Sequence, residues 1–298
     1  MFKLSAITAT RNRADLLQRC IESAASQDYA PKEHVIIDGA STDGTVELLK
    51  SAAARYPHLR WISESDRGLS HALNKGLALA TGDAVGVIGD DDFYEPGAFR
   101  AVASEFGKFP ETGVVTGDCR NVRNDGSTVQ ISKAAYTNRH ELIDYWKHWG
   151  RTVFIPAPGT FIRRQAIDKV GGFEESDRYA MDYRHWIKIT EHFSVRTVGQ
   201  VLANFRCDEG SISFSLEAKQ RSESIAISKD YWGSPLSWDY YRFLVSYAKF
   251  FGIAEALFTI ARRAGRQVIP HRRPELAGAQ SSATPSFACG ESGPARCK

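Results

Sequence analysis

Cysteine is scarce and unpatterned in this chain: five in 298 residues, at positions 20, 119, 207, 289 and 297, with no C-x-x-C pair. Such a set offers neither a zinc site nor a disulfide framework, and it predicts reduced thiols in a cytoplasmic protein. Excess charge is scarce too. The 38 basic and 35 acidic side chains leave a net +3, too little for a concentrated basic face, so no nucleic-acid partner is expected. The chain lacks a G-x-x-x-x-G-K-[ST] segment and a G-x-G-x-x-G after its first apolar run, which argues against P-loop and dinucleotide-binding proteins. It has no internal repeat. Its most apolar stretch, Phe243 to Ile260, is broken by Lys249 and Glu255 and so falls short of a membrane span of ~20 apolar residues. Met1-Phe2-Lys3-Leu4 runs straight into a strand-like segment without a signal-peptide core, so no secretory leader is expected.

Core-forming material is present in ordinary measure, 43% hydrophobic against 24% charged residues, which excludes disorder over most of the chain. Short apolar runs alternate with helix-period stretches, the pattern of an α/β domain with a largely parallel sheet. Leu4 to Thr8, Val35 to Ile37, Leu59 to Ile62, Ala84 to Ile88 and Val114 to Thr116 read as strands. Leu16, Leu17, Cys20, Ile21 and Ala24 mark one helix face, with Asn12 as its N-cap; Leu69, Ala72, Leu73, Gly76, Leu77 and Ala80 mark another. Pro96 suits the first turn of a further helix. Asn124-Asp125-Gly126 reads as a hairpin turn. A helix over Asp182 to Glu191 and a strand over Val195 to Val201 follow. Beyond Pro270 the chain is rich in Ala, Gly, Ser, Pro and Arg without periodicity, the composition of a disordered tail.

In an open parallel sheet, ligands bind beyond the carboxyl ends of the strands. Thr8 to Arg13, Asp38 to Thr45, Asp66 to Gly68 and Asp90 to Asp92 all fall at such ends. Three carboxylates at 90 to 92 repel one another unless a cation neutralises them. Hard oxygen ligands suit Mg²⁺ or Mn²⁺, with one or two carboxylates completed by substrate phosphates. The plainer alternative is a solvated acidic loop that caps the next helix. In Asp38-Gly39-Ala40-Ser41-Thr42-Asp43-Gly44-Thr45 the glycines permit a tight turn near a ligand. Its Asp and Ser/Thr groups can bond a base or sugar, or cap the following helix.

Taken together, these segments resemble family 2 glycosyltransferases. Asp38-Gly39-x-Ser41-x-Asp43-Gly44-Thr45 is similar to that family's D-G-x-S-x-D-G-T motif. Asp66-x-Gly68, Ala72-x-Asn74-x-Gly76, Ala80-x-Gly82-Asp83 and Gly89-Asp90-Asp91-Asp92 follow in the family's order and spacing. Thr160-Phe161-Ile162-Arg163-Arg164, Gly171-Gly172-Phe173 and Met181-Asp182-Tyr183-Arg184-His185-Trp186 extend the likeness, which covers residues 3 to about 213. The resemblance implies a GT-A fold, an α/β architecture with a mostly parallel central sheet flanked by helices. It also implies a nucleotide-diphosphate-sugar donor, a divalent cation (Mn²⁺ or Mg²⁺) and a place in cell-surface glycan synthesis.

Carried onto this sequence, the family pattern puts Thr8, Thr10 and Asn12 in the nucleotide pocket and Asp38 on the base, commonly uracil. Asp66 and Gly68 would meet the nucleoside, Asn74 and Asp91 would join the donor contacts, and Arg206 would clamp the diphosphate. Asp92 would bind the metal, with Asp90 as a second ligand, and Asp182 would be the catalytic base. Many relatives carry a His beside the last strand; here Arg206-Cys207-Asp208-Glu209-Gly210-Ser211 lacks it, with Asp208 as the substitute on offer. His71 stands where many relatives have an acidic residue, which leaves sugar preference open. By the same likeness, residues 1–215 form the catalytic unit, with 1–118 as donor half and 119–215 as acceptor half. A helical region over 216–269 and a basic tail over 270–298 complete the chain.

These roles are chemically coherent. A metal on the diphosphate stabilises charge on the departing oxygen. One carboxylate takes the proton of the acceptor hydroxyl, on a glycan, a lipid-linked sugar or a small molecule, and the single displacement inverts the anomeric carbon. A metal-dependent nucleotidyltransferase or phosphohydrolase, and a sugar-nucleotide-binding protein without catalysis, remain alternatives. The aromatic and proline-rich stretch from Trp146 to Phe161 is expected to pack in the core, with an acceptor-shaping role as the alternative. Arg262 to Lys298 hold seven basic and two acidic residues, which leaves the body slightly acidic. That basic segment behind an amphipathic stretch would suit peripheral contact with the inner face of a membrane; a helix docked on the body is the competing reading.

Overall fold

The computed structural model describes residues 1–149, 153–207, 216–234 and 236–251. The expected disordered tail, Asp208, and the stretch from 252 to 269 lie outside the described residues. Strands β1 (Leu4–Thr10), β2 (Lys32–Asp38), β3 (Leu59–Ser63) and β4 (Ala84–Val87) lie in the order β3-β2-β1-β4, all parallel. Their apolar runs are continuous because helices α1 (Ala14–Ala25), α2 (Thr45–Arg55) and α3 (Leu69–Leu79) cover the sheet, and strands buried on both faces need no polar alternation. Ile7, Val35 and Ile37 pack with Leu73 and Leu77 of α3 in one core. Leu4, Ala6 and Ile36 pack with Leu17, Ile21 and Leu49 in the other. Gly76 lets α3 lie close on β1: a Cβ there would fall 2.4 Å from Ile7 Cγ2.

The second half makes the sheet mixed. Strand β5 (Phe93–Tyr94) and helix α4 (Ala98–Lys108) follow the acidic triplet. Strands β6 (Thr112–Val122), β7 (Thr128–Ser132), β8 (Thr160–Arg163) and β9 (Ser194–Arg206) then extend the sheet as β4-β8-β6-β9-β5, with β7 on β6. The β6–β7 connection is the hairpin expected at Asn124-Asp125-Gly126, and a hairpin makes its strands antiparallel. β8 runs antiparallel to both β4 and β6, whereas β6 and β9 are parallel. β9 outruns the expected Val195 to Val201 because it pairs along β6 as far as Val122 with Arg206. Cys20 and Cys119 are buried free thiols, and Cys207 is buried as well.

Short helices α5 (Arg139–Ile143), α6 (Tyr145–Trp149) and α7 (Arg164–Val170) lead to α8 (Met181–Ile189), with α9 (Glu217–Tyr231) and α10 (Trp238–Phe251) after β9. α10 docks on the body. Tyr240 and Phe243 are buried, Trp146 meets the Tyr247 ring at 5.5 Å, and the Ser246 hydroxyl donates to Asp144. Among the described residues, no helix is long and apolar enough to cross a membrane.

One side chain fastens the two halves. Asn74 on α3 donates from Nδ2 to Phe173 O and accepts from Phe173 N at Oδ1, each at 2.8 Å. Removing one partner of a half-buried pair leaves the other poorly satisfied. Asn74→Ala is therefore expected to cost ~1–3 kcal/mol, read as a lower urea midpoint at unchanged m-value, with Asn74→Asp falling between it and the wild type.

Candidate functional site

The turns after β1 and β2 interlock through side chains rather than through a ligand. Asn12 adopts φ 54°, with its N–H on Ser41 Oγ at 2.7 Å and its Oδ1 accepting from Thr42 N at 2.8 Å. It is therefore a brace between loops; the N-cap of α1 is Arg13 instead. Asp38 is fully buried, accepting from Ser41 N at 3.0 Å, from the Ser41 hydroxyl and from Ser63 Oγ at 2.6 Å. Asp43 accepts from Thr45 N and Oγ1 and from Ala14 N, so it serves the starts of α2 and α1 together. Asp66 Oδ1 accepts from Gly68 N at 2.8 Å, and its other oxygen sits where a Cβ on Gly39 would be 2.7 Å away. The ends of β2 and β3 are thus pressed together around small residues.

The acidic triplet follows β4, where the chain turns back on itself with Asp92 N donating to Gly89 O. A Cβ at Gly89 would lie 2.7 Å from Asp92 Oδ2 and 3.3 Å from Asp91 Oδ1, so only glycine leaves room for the carboxylates. Burial pushes Asp90 up to about 6, with Asp91 adding to the rise and the Thr10 hydroxyl and Arg13 opposing it. Burial also lifts Asp92 well above the usual carboxylate range; Asp91 and Asp90 reinforce this, and the Arg206 N–H opposes it. That N–H donates to Asp92 Oδ1 at 2.9 Å, while Arg206 Nη1 lies 3.6 Å from Asp91 Oδ2. β9 therefore delivers Arg206 to the triplet from more than a hundred residues away.

A cavity of about 350 Å³ opens beside the triplet, and both Asp92 and Asp182 line it. Asp182 stands in the first turn of α8 and accepts from Tyr183 N at 2.8 Å. Burial pushes its carboxyl up to about 6, with the Tyr183 N–H opposing and Glu223 adding. The start of α8 is held firmly: Arg184 grips Asp177 through Nε at 2.6 Å and Nη2 at 3.1 Å, and Asp230 of α9 through Nη1 at 2.8 Å. Asp177 O in turn accepts from Ser70 of α3. Most of the lining is apolar, including Phe154 and Pro156 from the aromatic stretch, whereas Trp146 of the same stretch is core.

The structure thus brings together Thr10, Asp90, Asp91, Asp92 and Arg206, and sets Asp182 on the same cavity as Asp92. Two residues expected at the donor lie elsewhere. Thr8 points to the α1 layer, its hydroxyl 2.9 Å from His34 Nε2 and 3.5 Å from Cys20 Sγ; strand alternation gives the cavity to Ala9 instead. Asn74 is committed to Phe173. His71 Nδ1 accepts from Arg67 N at 3.1 Å, and Arg67 pairs with Glu175 at 2.7 Å. Sequence reasoning missed Asn121 and Ser132 of the β6–β7 pair and Gln220, Arg221 and Ser224 of α9, all on the cavity wall. No local motif marks them, because only the fold carries these distant segments to Asp182. Among the described residues, no cluster of three or more His, Cys, Asp or Glu is arranged to hold a metal ion.

Chondroitin synthase of Escherichia coli is 28% identical over 193 residues, 65% of this chain and 27% of that protein. The chain spans about a quarter of the length of such curated relatives. Among solved structures, the mannosyltransferase PcManGT from Pyrobaculum calidifontis in complex with GDP-Man and Mn²⁺ superposes with a TM-score of 0.61 at 20% identity, covering 90% of this chain and 76% of that one. S. aureus TarS 1–349 in complex with UDP-GlcNAc gives 0.59 at 18% identity, covering 87% and 71%. These likenesses show the GT-A fold. The family model described as glycosyl transferase family 2 matches residues 5–171, more than half of the chain, and the protein belongs to that family.

Proposed function

We propose that the chain transfers a sugar, with inversion, from a nucleotide diphosphate to a hydroxyl of a glycan or lipid-linked acceptor. The carrying observation is the shared cavity: Asp92, one of a crowded carboxylate cluster held by Arg206, and a separate buried carboxylate, Asp182, line the same space. Thr10, Asn12, Asp66 and Gly68 would border the nucleotide, with Asp38 acting through the serines it holds. Arg206 and Asp91 would flank the diphosphate. A UDP donor is favoured by the family motif around Asp38, and the TarS complex with UDP-GlcNAc is in keeping with it. Chondroitin synthase among the relatives supports a polysaccharide acceptor. Residues 1–118 would serve the donor and 119–215 the acceptor.

The donor set fits a divalent cation. Asp92 and Asp90 are oxygen ligands held together against their own repulsion, and Mg²⁺ or Mn²⁺ commonly takes one or two carboxylates and completes its shell with phosphate oxygens and water. That sparse protein contribution agrees with the absence of a three-residue cluster among the described residues. Bound there, the ion would neutralise charge on the departing diphosphate. Asp182 would accept the acceptor hydroxyl proton, its raised affinity for protons matching a base that works near neutrality.

Asp182→Asn is expected to retain nucleotide-sugar affinity while lowering kcat by ~10²- to 10⁴-fold, measured as Mn²⁺-dependent release of nucleoside diphosphate. Wild-type turnover in the variant removes Asp182 from this role. Release of pyrophosphate in place of nucleoside diphosphate would indicate nucleotidyl transfer. The pH profile has a defined sign. A base whose carboxyl is pushed up to about 6 is protonated and idle below that pH, so kcat should rise through pH 6 and level off above 7. A limb centred near 4 would assign the base elsewhere.

Peripheral membrane contact would use the outer face of α10, where Trp238 is 63% and Tyr241 56% exposed. Aromatic side chains of this kind sit well at a membrane interface. In flotation with anionic liposomes, the double substitution Trp238→Ser, Tyr241→Ser should lower the floated fraction severalfold. Equal recovery with and without liposomes in the wild type overturns this contact.

A further inference from the structure

The cavity that Asp182 lines also includes a cation with nothing to neutralise it among the described residues. Arg221 is half-buried on the wall, and among the described residues it has no ion pair and no hydrogen bond. Several other charges of the neighbourhood are engaged. Arg184 is shared between Asp177 and Asp230. The Glu223 carboxylate takes the backbone N–H groups of Arg178 at 2.6 Å and Tyr179 at 2.8 Å. Lys219 lies over the ring of Tyr179, itself a wall residue, at 5.9 Å. A half-buried guanidinium loses hydration and gains no partner in the free protein, a cost that a ligand anion would remove.

The placement is rigid as well as charged. α9 is tied to α8 by the Tyr183 hydroxyl and Ser228 Oγ at 3.2 Å and by the Arg184–Asp230 pair. The helix that carries Arg221 is therefore fixed relative to α8 and Asp182, the group assigned to the acceptor hydroxyl. Asp92 is the cavity residue assigned to the donor, and Arg206 behind it already has Asp91 and Asp92 as partners.

We infer that Arg221 is a specificity-determining residue that selects acceptors with an anionic group, a carboxylate or a phosphate, on the sugar presented to Asp182. This rests on the glycosyl-transfer reading above, because that reading makes the Asp182 end the acceptor end. A guanidinium reads a planar carboxylate or a phosphate through paired N–H donors, so a neutral sugar of the same shape would leave the cation unpaired.

The test measures binding as well as turnover, on the full chain with Mn²⁺ and UDP present. Methyl β-D-glucuronide, glucose 6-phosphate and neutral methyl β-D-glucoside are titrated against wild type, Arg221→Gln and Arg221→Lys. The wild type should bind at least one anionic sugar ~10- to 100-fold more tightly than the glucoside. Arg221→Gln should collapse that ratio to near one, and Arg221→Lys should keep part of it. Preference for the glucuronide alone identifies a carboxylate, and preference for the phosphate alone a phosphoryl group. Equal binding of charged and neutral sugars by the wild type, or a ratio untouched in Arg221→Gln with thermal unfolding unchanged, overturns the assignment. Lack of Mn²⁺-dependent nucleotide release with every nucleotide sugar would count against the transfer reading itself, while the binding ratio still decides the role of Arg221.

Discussion

Carboxylate crowding at the end of β4 is the constraint around which the rest of the site is arranged. Three consecutive aspartates leave a buried strand where solvation of charge is poor, and Gly89 gives them no side chain to hide behind. Burial and mutual repulsion both raise the affinity of Asp90 and Asp92 for protons. The compensation among the described residues is small: a few backbone N–H groups, the Arg206 guanidinium, and Arg13 and the Thr10 hydroxyl acting on Asp90. A cluster so little compensated would suit the divalent cation proposed above, and that ion would in turn attract phosphate. The slightly acidic body of the chain fits a pocket whose attraction for a diphosphate would come from one bound ion rather than from a basic surface.

The second carboxylate is raised by a different route. Asp182 has no acidic neighbour in sequence; its burial in a largely apolar cavity dominates, with Glu223 of α9 adding to it. Its position depends on ties made far from the chemistry: Asn74 to Phe173, Ser70 to Asp177, and Arg184 to Asp177 and Asp230. Loosening any of them would move the start of α8 before it altered any group that touches a substrate. This explains why conspicuous polar residues such as Asn74 and Arg184 serve position rather than contact. It also makes α9 part of the cavity and not an appendage, since it both clamps α8 and supplies Arg221.

Much of the first half was legible in the sequence because its signals are local. Continuous apolar runs specify parallel strands covered on both faces, and the polar turns after them fall where an open sheet binds ligands. Asp38, Asp66, Asp90 to Asp92 and Asp182 stood out as candidates in this way, the last by its motif. Thr8 was misplaced because strand alternation was not applied to the turn that follows it. Asn74 was misplaced because a motif position does not say whether a side chain meets a ligand or another segment of backbone. The mixed pairing of β5 to β9 escaped for a further reason: short strands separated by long connections carry no record of which neighbour they will choose.

By itself, then, the sequence determined the α/β layering, the acidic strand ends and the family, because each depends on residues close together along the chain. The tertiary structure decided which polar groups face the cavity and which hold the fold, that Arg206 reaches the triplet, that α10 docks on the body, and that Arg221 shares a cavity with the proposed base. Those outcomes turn on contacts between segments tens to more than a hundred residues apart. Their energies are set by burial and by the partner each group finds on folding, neither of which is written in local spacing.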